Sequence, residues 1–310
     1  MSDMRPILIA GPTASGKSGL ALRLAEHFGG VVINADSMQV YRELRILTAR
    51  PSAAEEARAP HALYGHVPGC ESYSAGRYAA DVTLALDEAR RAERRPIIVG
   101  GTGLYFKTLT EGLSPIPAVP DDVRAHWRSE AARQGPMKLH AVLAARDREM
   151  AERLQPTDTQ RVVRALEVLE ATGASLAEWQ RQPRQPILDL NDTIPLSVSI
   201  DRDVLAERID KRFAQMVKEG AFDEVLQLKA LNLDPTLPVM LALGVGPLMR
   251  HLAGELTLED AIEMGAAETR QYAKRQRTWL RGNMIAWLEV STQEMETSAA
   301  NFASFIQSAR

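Results

Sequence analysis

The stretch of sequence that decides the fold is Ile7-Leu8-Ile9-Ala10-Gly11-Pro12-Thr13-Ala14-Ser15-Gly16-Lys17-Ser18. Its first four residues form a short apolar run, which favours a buried strand, and its last eight satisfy the pattern G-x-x-x-x-G-K-S. Residues 18–28 then carry apolar side chains at a helical spacing, and Gly29 supplies a helix stop. A strand, a phosphate-binding loop and a helix in this order predict a parallel sheet with helices packed on it.

The loop at residues 11–18 has the composition that phosphate binding requires. Its glycines allow a tight turn, so that backbone N–H groups and the helix N-terminus point at one phosphate group. Lys17 adds a positive charge, and the Ser18 hydroxyl is a suitable ligand for Mg²⁺. We therefore expect the loop to hold a diphosphate or triphosphate. The loop alone leaves open whether the phosphates belong to a hydrolysed nucleotide, a phosphoryl donor or another diphosphate ester.

The composition is that of an ordinary soluble globular protein. Of 310 residues, 45% are hydrophobic and 25% are charged, which excludes disordered, collagen-like and coiled-coil chains. The formal net charge of −3 means that a polyanionic partner must be held by a local basic patch. Cys70 is the single cysteine and excludes an intramolecular disulfide. With no signal peptide and no apolar run near the length of a membrane span, we expect a cytoplasmic protein without a membrane partner.

Two proline-marked segments predict the domain organisation. Prolines 115, 117 and 120 interrupt residues 112–120, and a second such segment covers residues 182–186. The chain between them is rich in Ala, Arg, Glu and Leu, which favours helices, and its clearest helix spans residues 160–172. We therefore predict a P-loop NTPase-like α/β core at residues 1–120 and 185–310, with a small all-helical insert at residues 121–184.

Polar side chains follow the second and third predicted strands, at residues 31–35 and 97–100. Because the carboxyl ends of neighbouring parallel strands meet at one crevice, Asp36 and Thr102 are expected near the phosphate loop. A carboxylate there could help to hold Mg²⁺ or act as a general base. Ser37 and Gln39 carry groups suited to hydrogen bonding with a base edge.

Basic residues form two further patterns. Arg270, Lys274, Arg277 and Arg281 are spaced to lie on one face of a helix, and no acidic residue occurs between the first and the last. This favours contact with phosphates, although such a stripe is also typical of a solvated face. Arg208 and Arg212 are one helical turn apart, and like charges at this spacing repel unless an anion bridges them. We expect one or both to reach the bound diphosphate.

Five segments together resemble the tRNA dimethylallyltransferase family. They are residues 11–18, 34–41, 100–105, 158–167 and 269–279. The resemblance runs in the family's order over nearly the whole chain, and it implies a P-loop core with a small helical tRNA-binding insert. It also implies transfer of a dimethylallyl group from dimethylallyl diphosphate to the exocyclic amine of the adenosine 3′-adjacent to the anticodon. The phosphate loop then binds a leaving diphosphate and not ATP.

The same resemblance implies roles for individual residues. Asp36 is the base that accepts the amine proton, and Thr102 orients the reacting groups; the phosphate-loop pattern itself assigns Ser18 to Mg²⁺. The diphosphate site comprises Gly11, Pro12, Thr13, Ala14, Ser15, Gly16, Lys17, Ser18 and Arg208. The expected contacts with the anticodon stem-loop are Asp36, Ser37, Met38, Gln39, Thr102, Arg124, Gln160, Arg161, Val162, Val163, Arg164, Arg270, Lys274, Arg277 and Arg281. We expect the protein to act as a monomer.

One segment departs from the family pattern, and two other functions remain open from the residues alone. Where the family carries Ala-Ile-Gly-Tyr, this chain has Ala242-Leu243-Gly244-Val245, so no site residue is assigned there. The first alternative is an ATP-dependent small-molecule kinase in which Asp36 activates a hydroxyl. The second is a nucleotide-gated RNA-binding protein without chemistry.

Overall fold

The computed structural model describes residues 3–292. In this part of the chain, one parallel sheet comprises β1 (Ile7–Ala10), β2 (Val31–Asn34), β3 (His61–Ala62), β4 (Pro96–Gly100), β5 (Ile194–Ser199) and β6 (Leu288–Ser291). The strand order is β3-β2-β4-β1-β5-β6, so β1 lies in the centre between β4 and β5. The predicted α/β fold class is confirmed.

Helices connect the strands and cover the sheet. They are α1 (Lys17–Phe28), α2 (Ala53–Glu56), α3 (Ala75–Arg91), α4 (Gly103–Glu111), α5 (Asp121–Gln134), α6 (Pro136–Arg146), α7 (Arg148–Arg153), α8 (Thr159–Thr172), α9 (Leu176–Arg181), α10 (Arg202–Met216), α11 (Phe222–Ala230), α12 (Val245–Leu252) and α13 (Leu258–Asn283). Val217–Ala221 joins α10 to α11 and contains a kink at Gly220, whose φ of +111° is not helical. None of the helices of the described residues is both long and apolar enough to cross a membrane.

The core explains why the first strand had to be apolar throughout. All four residues of β1 have an exposed fraction of 0%. Ile7 and Ile9 pack into an apolar cluster with α1, whereas Leu8 and Ala10 pack into a second cluster with α3 and α4 on the opposite face. A parallel strand covered on both faces cannot alternate apolar with polar residues.

The chain separates into two compact units. Within the described residues, the first comprises 3–110 and 187–292 and holds the sheet, and the second comprises 111–186 and holds α5 to α9. The second unit begins earlier than the predicted residue 121, because Ile116 and Val119 of the proline-rich segment pack into its apolar cluster. Its end lies close to the predicted residue 184.

The helical unit has a core of its own, formed mainly around α8. Val162 and Leu166 have exposed fractions of 0%, and Trp127 of α5 packs into the same cluster. The expected contact of Val162 with tRNA is therefore wrong, since a side chain buried in the core presents no surface to a partner. Val163 is half-buried and packs against this cluster as well.

Candidate active site

The phosphate loop leads from the centre of the sheet into α1. Gly16 caps this helix with φ at +82°, and Ala14 also has a left-handed φ of +61°. Within residues 3–292, no side chain bonds to the first amides of α1. The positive end of the helix dipole and its first N–H groups are thereby available to an anion.

A cavity of about 830 Å³ opens in front of this loop. Residues 14–18 form one wall. The cationic lining residues are Lys17, Arg45, Arg50, Arg208, Lys211 and Arg212, and the acidic ones are Glu55 and Glu219. An excess of cations beside a helix N-terminus is suited to a multiply charged anion such as a diphosphate.

Lys17 is the cation that the loop itself provides. Its Nζ donates a hydrogen bond to the carbonyl of Pro12 at 3.1 Å. Burial lowers the pKa of Lys17 to about 8, against the effect of Asp36, and the charge of Arg212 lowers it further. The ammonium group is therefore within reach of losing its proton at mildly alkaline pH.

The loop after β2 places Asp36 at the edge of a second cavity. Its backbone N–H donates to Asn34 Oδ1 at 2.8 Å, and Asn34 Nδ2 donates to the carbonyl oxygens of Asp36 at 2.9 Å and Leu63 at 3.0 Å. One carboxylate oxygen, Oδ1, accepts from the N–H of Met38 at 2.9 Å. Asn34 has an exposed fraction of 0%, so the main chain that carries the carboxylate is held firmly.

Thr102 meets this loop from β4. Its hydroxyl accepts from the N–H of Ser37 at 2.9 Å and lies 3.3 Å from the Ser37 hydroxyl. The approach requires Gly100, because a Cβ there would lie 2.0 Å from the carbonyl oxygen of Ala35. Asp36, Ser37 and Thr102 are thus brought together, as the strand-end argument predicted.

The second cavity has a volume of about 280 Å³. Its polar lining residues are Thr13, Asp36, Ser37, Thr48, Arg212, Thr269, Tyr272 and Arg275. Its apolar lining residues are Ala14, Met38, Leu47, Ile209, Phe213, Met216, Leu241, Ala242 and Leu243. Ala14, Arg212 and Met216 also line the cavity at the phosphate loop, so the two cavities are neighbours.

Arg212 is the charged residue common to both cavities. Burial lowers its pKa and the charge of Asp36 raises it, but a guanidinium remains protonated at any physiological pH. Arg208, one turn earlier on α10, lines the phosphate-loop cavity but not the smaller one. The sequence assigned Arg208 and left Arg212 open, whereas the structure places Arg212 closer to the centre of the site.

Helix α13 contributes Tyr272, a residue to which the sequence analysis gave no role. Tyr272 lines the smaller cavity, and its phenol lies close enough to the Thr102 side chain for Thr102 to lower its pKa. Burial, followed by the charge of Asp36, raises the pKa of Tyr272, so that the phenol stays protonated. Tyr272 could have been identified from the sequence by one signal. It is a polar side chain on the face of α13 that otherwise packs into the core.

The segment that departs from the family pattern also reaches the site. Ala242 and Leu243 line the smaller cavity together with Leu241. Gly244 follows with φ at +84°, and a Cβ there would lie 2.6 Å from the ring of Phe213. The segment therefore forms apolar wall, although no site residue was assigned to it.

Gln39 does not lie where the sequence suggested. Its Nε2 donates to the carbonyl oxygens of Thr48 and Ala49, at 2.9 Å in each case, and it does not line the smaller cavity. The amide that was expected to read an adenine edge instead holds the loop after β2 in shape.

The basic stripe on α13 is divided by its surroundings. Arg270 forms an ion pair with Asp210 of α10. The stripe has no acidic residue within its own sequence, but the neighbouring helix supplies one. Lys274 is exposed. Arg277 and Arg281 line a third cavity of about 750 Å³, which also contains Asp201 and Glu289.

Only some of the residues of the helical unit that were expected to contact tRNA are fully exposed. Gln160 and Arg161 are exposed at the beginning of α8, and Arg161 pairs with Asp158 at 3.4 Å. Arg164 pairs with the buried Glu167, also at 3.4 Å. On α5, Arg124 is half-buried, with Asp121 at 3.9 Å.

Comparison with known proteins places this geometry in a family. The family profile for IPP transferases matches residues 39–283, and the profile for isopentenyl transferases matches residues 4–61. A tRNA dimethylallyltransferase of Parvibaculum lavamentivorans is 54% identical over 302 residues, covering 97% of this chain and 96% of the relative. One from Nitrobacter hamburgensis is 54% identical over 290 residues, covering 94% and 92%.

Solved structures agree. A tRNA isopentenylpyrophosphate transferase from Bacillus halodurans superposes with a TM-score of 0.69 at 30% identity, covering 98% of this chain and 97% of that one. A eukaryotic dimethylallyltransferase, described as acting on tRNA, superposes with a TM-score of 0.82 at 29% identity, covering 97% and 77%. The chain therefore belongs to the tRNA dimethylallyltransferase family of IPP transferases.

Proposed function

We propose that the protein transfers a dimethylallyl group from dimethylallyl diphosphate to the exocyclic amine of the adenosine 3′-adjacent to the anticodon in tRNA. Diphosphate is the second product. The names of the relatives given above support tRNA as the acceptor of the group. The observation that carries the chemistry is the contact between two cavities, one rich in cations and one largely apolar, with Arg212 in the wall of both.

The donor fits these cavities in one orientation. Its diphosphate occupies the phosphate-loop cavity, where Lys17, Arg212 and the first amides of α1 stabilise negative charge. Its branched hydrocarbon occupies the smaller cavity, against Met216 and Phe213. The bond that breaks joins the allylic carbon to the ester oxygen of the α-phosphate, and its electron pair leaves with the diphosphate. Charge stabilisation on the leaving group matters most because an exocyclic amine is a poor nucleophile.

Asp36 and its neighbours provide the acceptor side. The adenine amine forms the new carbon–nitrogen bond and transfers one proton to the carboxylate of Asp36, which gives it up to water after product release. Thr102 and Tyr272 supply hydroxyl groups beside this carboxylate. A base in an anticodon loop can be splayed out of its stack, which allows the adenine to enter the crevice.

The residues present fit a magnesium ion held mainly by the substrate. Mg²⁺ prefers hard oxygen ligands and is commonly bound by one or two protein oxygens together with phosphate oxygens. Ser18 offers its hydroxyl at the phosphate-loop cavity, and the described part of the chain holds no group of three or more His, Cys, Asp and Glu suited to a metal. When bound, the ion would neutralise charge on the diphosphate.

The surfaces proposed to contact tRNA are exposed in both units. Gln160 and Arg161 mark the helical unit, and Lys274 marks α13. Counter-charges near Arg161 and Arg270 are compatible with this role, because a phosphate can displace a surface carboxylate at little cost. We propose a monomer acting in the cytoplasm.

Mass spectrometry of digested tRNA tests the function directly. After incubation with the protein, Mg²⁺ and dimethylallyl diphosphate, we expect the adenosine beside the anticodon to carry one dimethylallyl group in place of one hydrogen, without a requirement for ATP. An unchanged adenosine would contradict the proposal. Turnover of ATP with a small hydroxyl acceptor would indicate a kinase, and tRNA binding without modification would indicate a regulator.

The pKa of Lys17 predicts how donor binding depends on pH. The free enzyme has a protonated Lys17 below about pH 8 and loses this charge above it. The bound diphosphate favours the charged form, so affinity is greatest below about pH 8 and should fall several-fold up to about pH 9.5. Calorimetric titration with dimethylallyl diphosphate measures this. The Lys17→Arg variant should show a flatter profile, whatever its absolute affinity, and an equally steep one would refute the assignment.

A further inference from the structure

We propose that Gln276 is a positioning residue that fixes the spacing between the phosphate loop and the loop that carries Thr102. This inference rests on the proposed function, because it concerns how the donor and acceptor sides are aligned. Gln276 Oε1 accepts a hydrogen bond from the N–H of Thr13 at 2.9 Å. Its Nε2 donates to the carbonyl oxygen of Gly101, also at 2.9 Å. One side chain thus joins the two loops.

The surroundings make this connection specific. Gln276 has an exposed fraction of 6%, so water does not compete effectively for its two bonds. A Cβ at Gly101 would lie 2.1 Å from Gln276 Nε2, which shows how closely the main chain approaches the amide. A neutral primary amide offers one acceptor and one donor in the directions needed here, whereas a carboxylate offers only acceptors.

Gln276 lies on a helix that contacts the same loop at two further points. Tyr272, one turn earlier, lies beside the Thr102 side chain, and Trp279 lies where a Cβ at Gly103 would collide with its ring. These two contacts hold α13 against the acceptor side. Gln276 adds the link to the donor side through Thr13, the loop residue that also lines the smaller cavity.

Alignment of this kind acts mainly on the rate of the chemical step. Under the proposed function the phosphate loop binds the leaving diphosphate, whereas the loops of Asp36 and Thr102 hold the base and line the place where the adenine amine enters. A displacement of about 1 Å between reacting groups can lower a rate by about 10²-fold, even when each substrate still binds. Loss of the Gln276 link should therefore lower kcat much more than it changes the affinity for either substrate.

The first test replaces Gln276 with leucine, which keeps the size but removes both hydrogen bonds. For Gln276→Leu we expect kcat to fall about 10-fold to 100-fold, with the KM for donor and for tRNA within about threefold of the parent. The affinity for inorganic diphosphate, measured by calorimetry, should also change less than about threefold. Gln271→Leu is the matched control, because Gln271 is exposed on the same helix, and its kinetics should equal those of the parent.

The second test uses Gln276→Glu and gives a signature that a general loss of stability would not produce. The ionised carboxylate opposes the carbonyl of Gly101, whereas the protonated carboxyl donates to it and still accepts from Thr13. The kcat of this variant, relative to that of the parent at the same pH, should therefore rise as the pH falls. Gln271→Glu should keep a constant ratio to the parent. This variant also carries the test if the leucine variant fails to fold.

Each outcome decides the question. The proposal is overturned if Gln276→Leu folds and keeps kcat within about twofold of the parent, or if diphosphate affinity falls in parallel with kcat, since Gln276 would then only build the phosphate loop. A pH-independent ratio for Gln276→Glu also overturns it. If the parent itself modifies no tRNA, the proposed function fails and this inference fails with it; an active parent with an equally active Gln276→Leu variant removes the inference alone.

Discussion

Replacing Asp36 with asparagine should lower kcat about 10³-fold and leave tRNA affinity within about threefold. The asparagine side chain keeps the shape of the carboxylate, and its oxygen can still accept from the N–H of Met38, so the loop should keep its conformation. It cannot take the proton that the adenine amine must lose. The measurement is single-turnover transfer of labelled dimethylallyl groups to tRNA, together with a filter-binding assay for tRNA.

The control for this substitution is Asp87→Asn. Asp87 is on α3, where it pairs with Arg90 at the surface, and its loss should change neither rate nor binding. Transfer by Asp36→Asn within about tenfold of the parent would show that another group accepts the proton. Loss of tRNA binding in parallel with transfer would instead assign Asp36 to substrate binding.

Replacing Arg212 with methionine should lower kcat/KM for the donor about 10²-fold to 10³-fold. Arg212 lines both cavities, so the proposed function puts its charge beside the oxygen that leaves with the diphosphate. Methionine preserves much of the apolar stem and removes the fixed positive charge. Steady-state kinetics at saturating tRNA, with the donor varied, gives the quantity directly.

Two further variants isolate the role of the Arg212 charge. Arg212→Lys should recover part of the lost activity, because it restores the charge but not the planar fork of donors. Lys218→Met removes an exposed cation from the turn that follows the same helix and should be neutral. A kcat/KM for Arg212→Met within about threefold of the parent would exclude contact with the leaving group.

Much of the core fold could be predicted from local patterns. Continuous apolar runs gave β1, β2 and β4, because strands covered on both faces leave no place for polar residues. The edge strand β3 escaped notice, since two residues carry no pattern. Gly220 breaks the helical run between α10 and α11 with a non-helical φ of +111°, and Ala221 and Val225 beyond it pack into the core.

The candidate site was only partly predictable, for a physical reason. Asp36 and Thr102 follow adjacent strands, and parallel topology alone brings such positions together. Tyr272 and Gln276 reach the same place from α13, and their approach depends on how that helix packs, which no local spacing specifies. The buried Val162 shows the opposite error, in which a motif from the resemblance was assigned to surface although the helix period places the residue inside.

The central position of β1 also constrains the order in which the enzyme can become functional. Its neighbour β5 and the amide of Gln276, 263 residues after Thr13, are made long after the phosphate loop has left the ribosome. Contacts this distant in the chain form slowly, because a large loop must close first. A nascent or prematurely terminated chain that lacks α13 therefore contains the phosphate-loop sequence without the helix that contacts it, and we expect such a chain to leave tRNA unmodified.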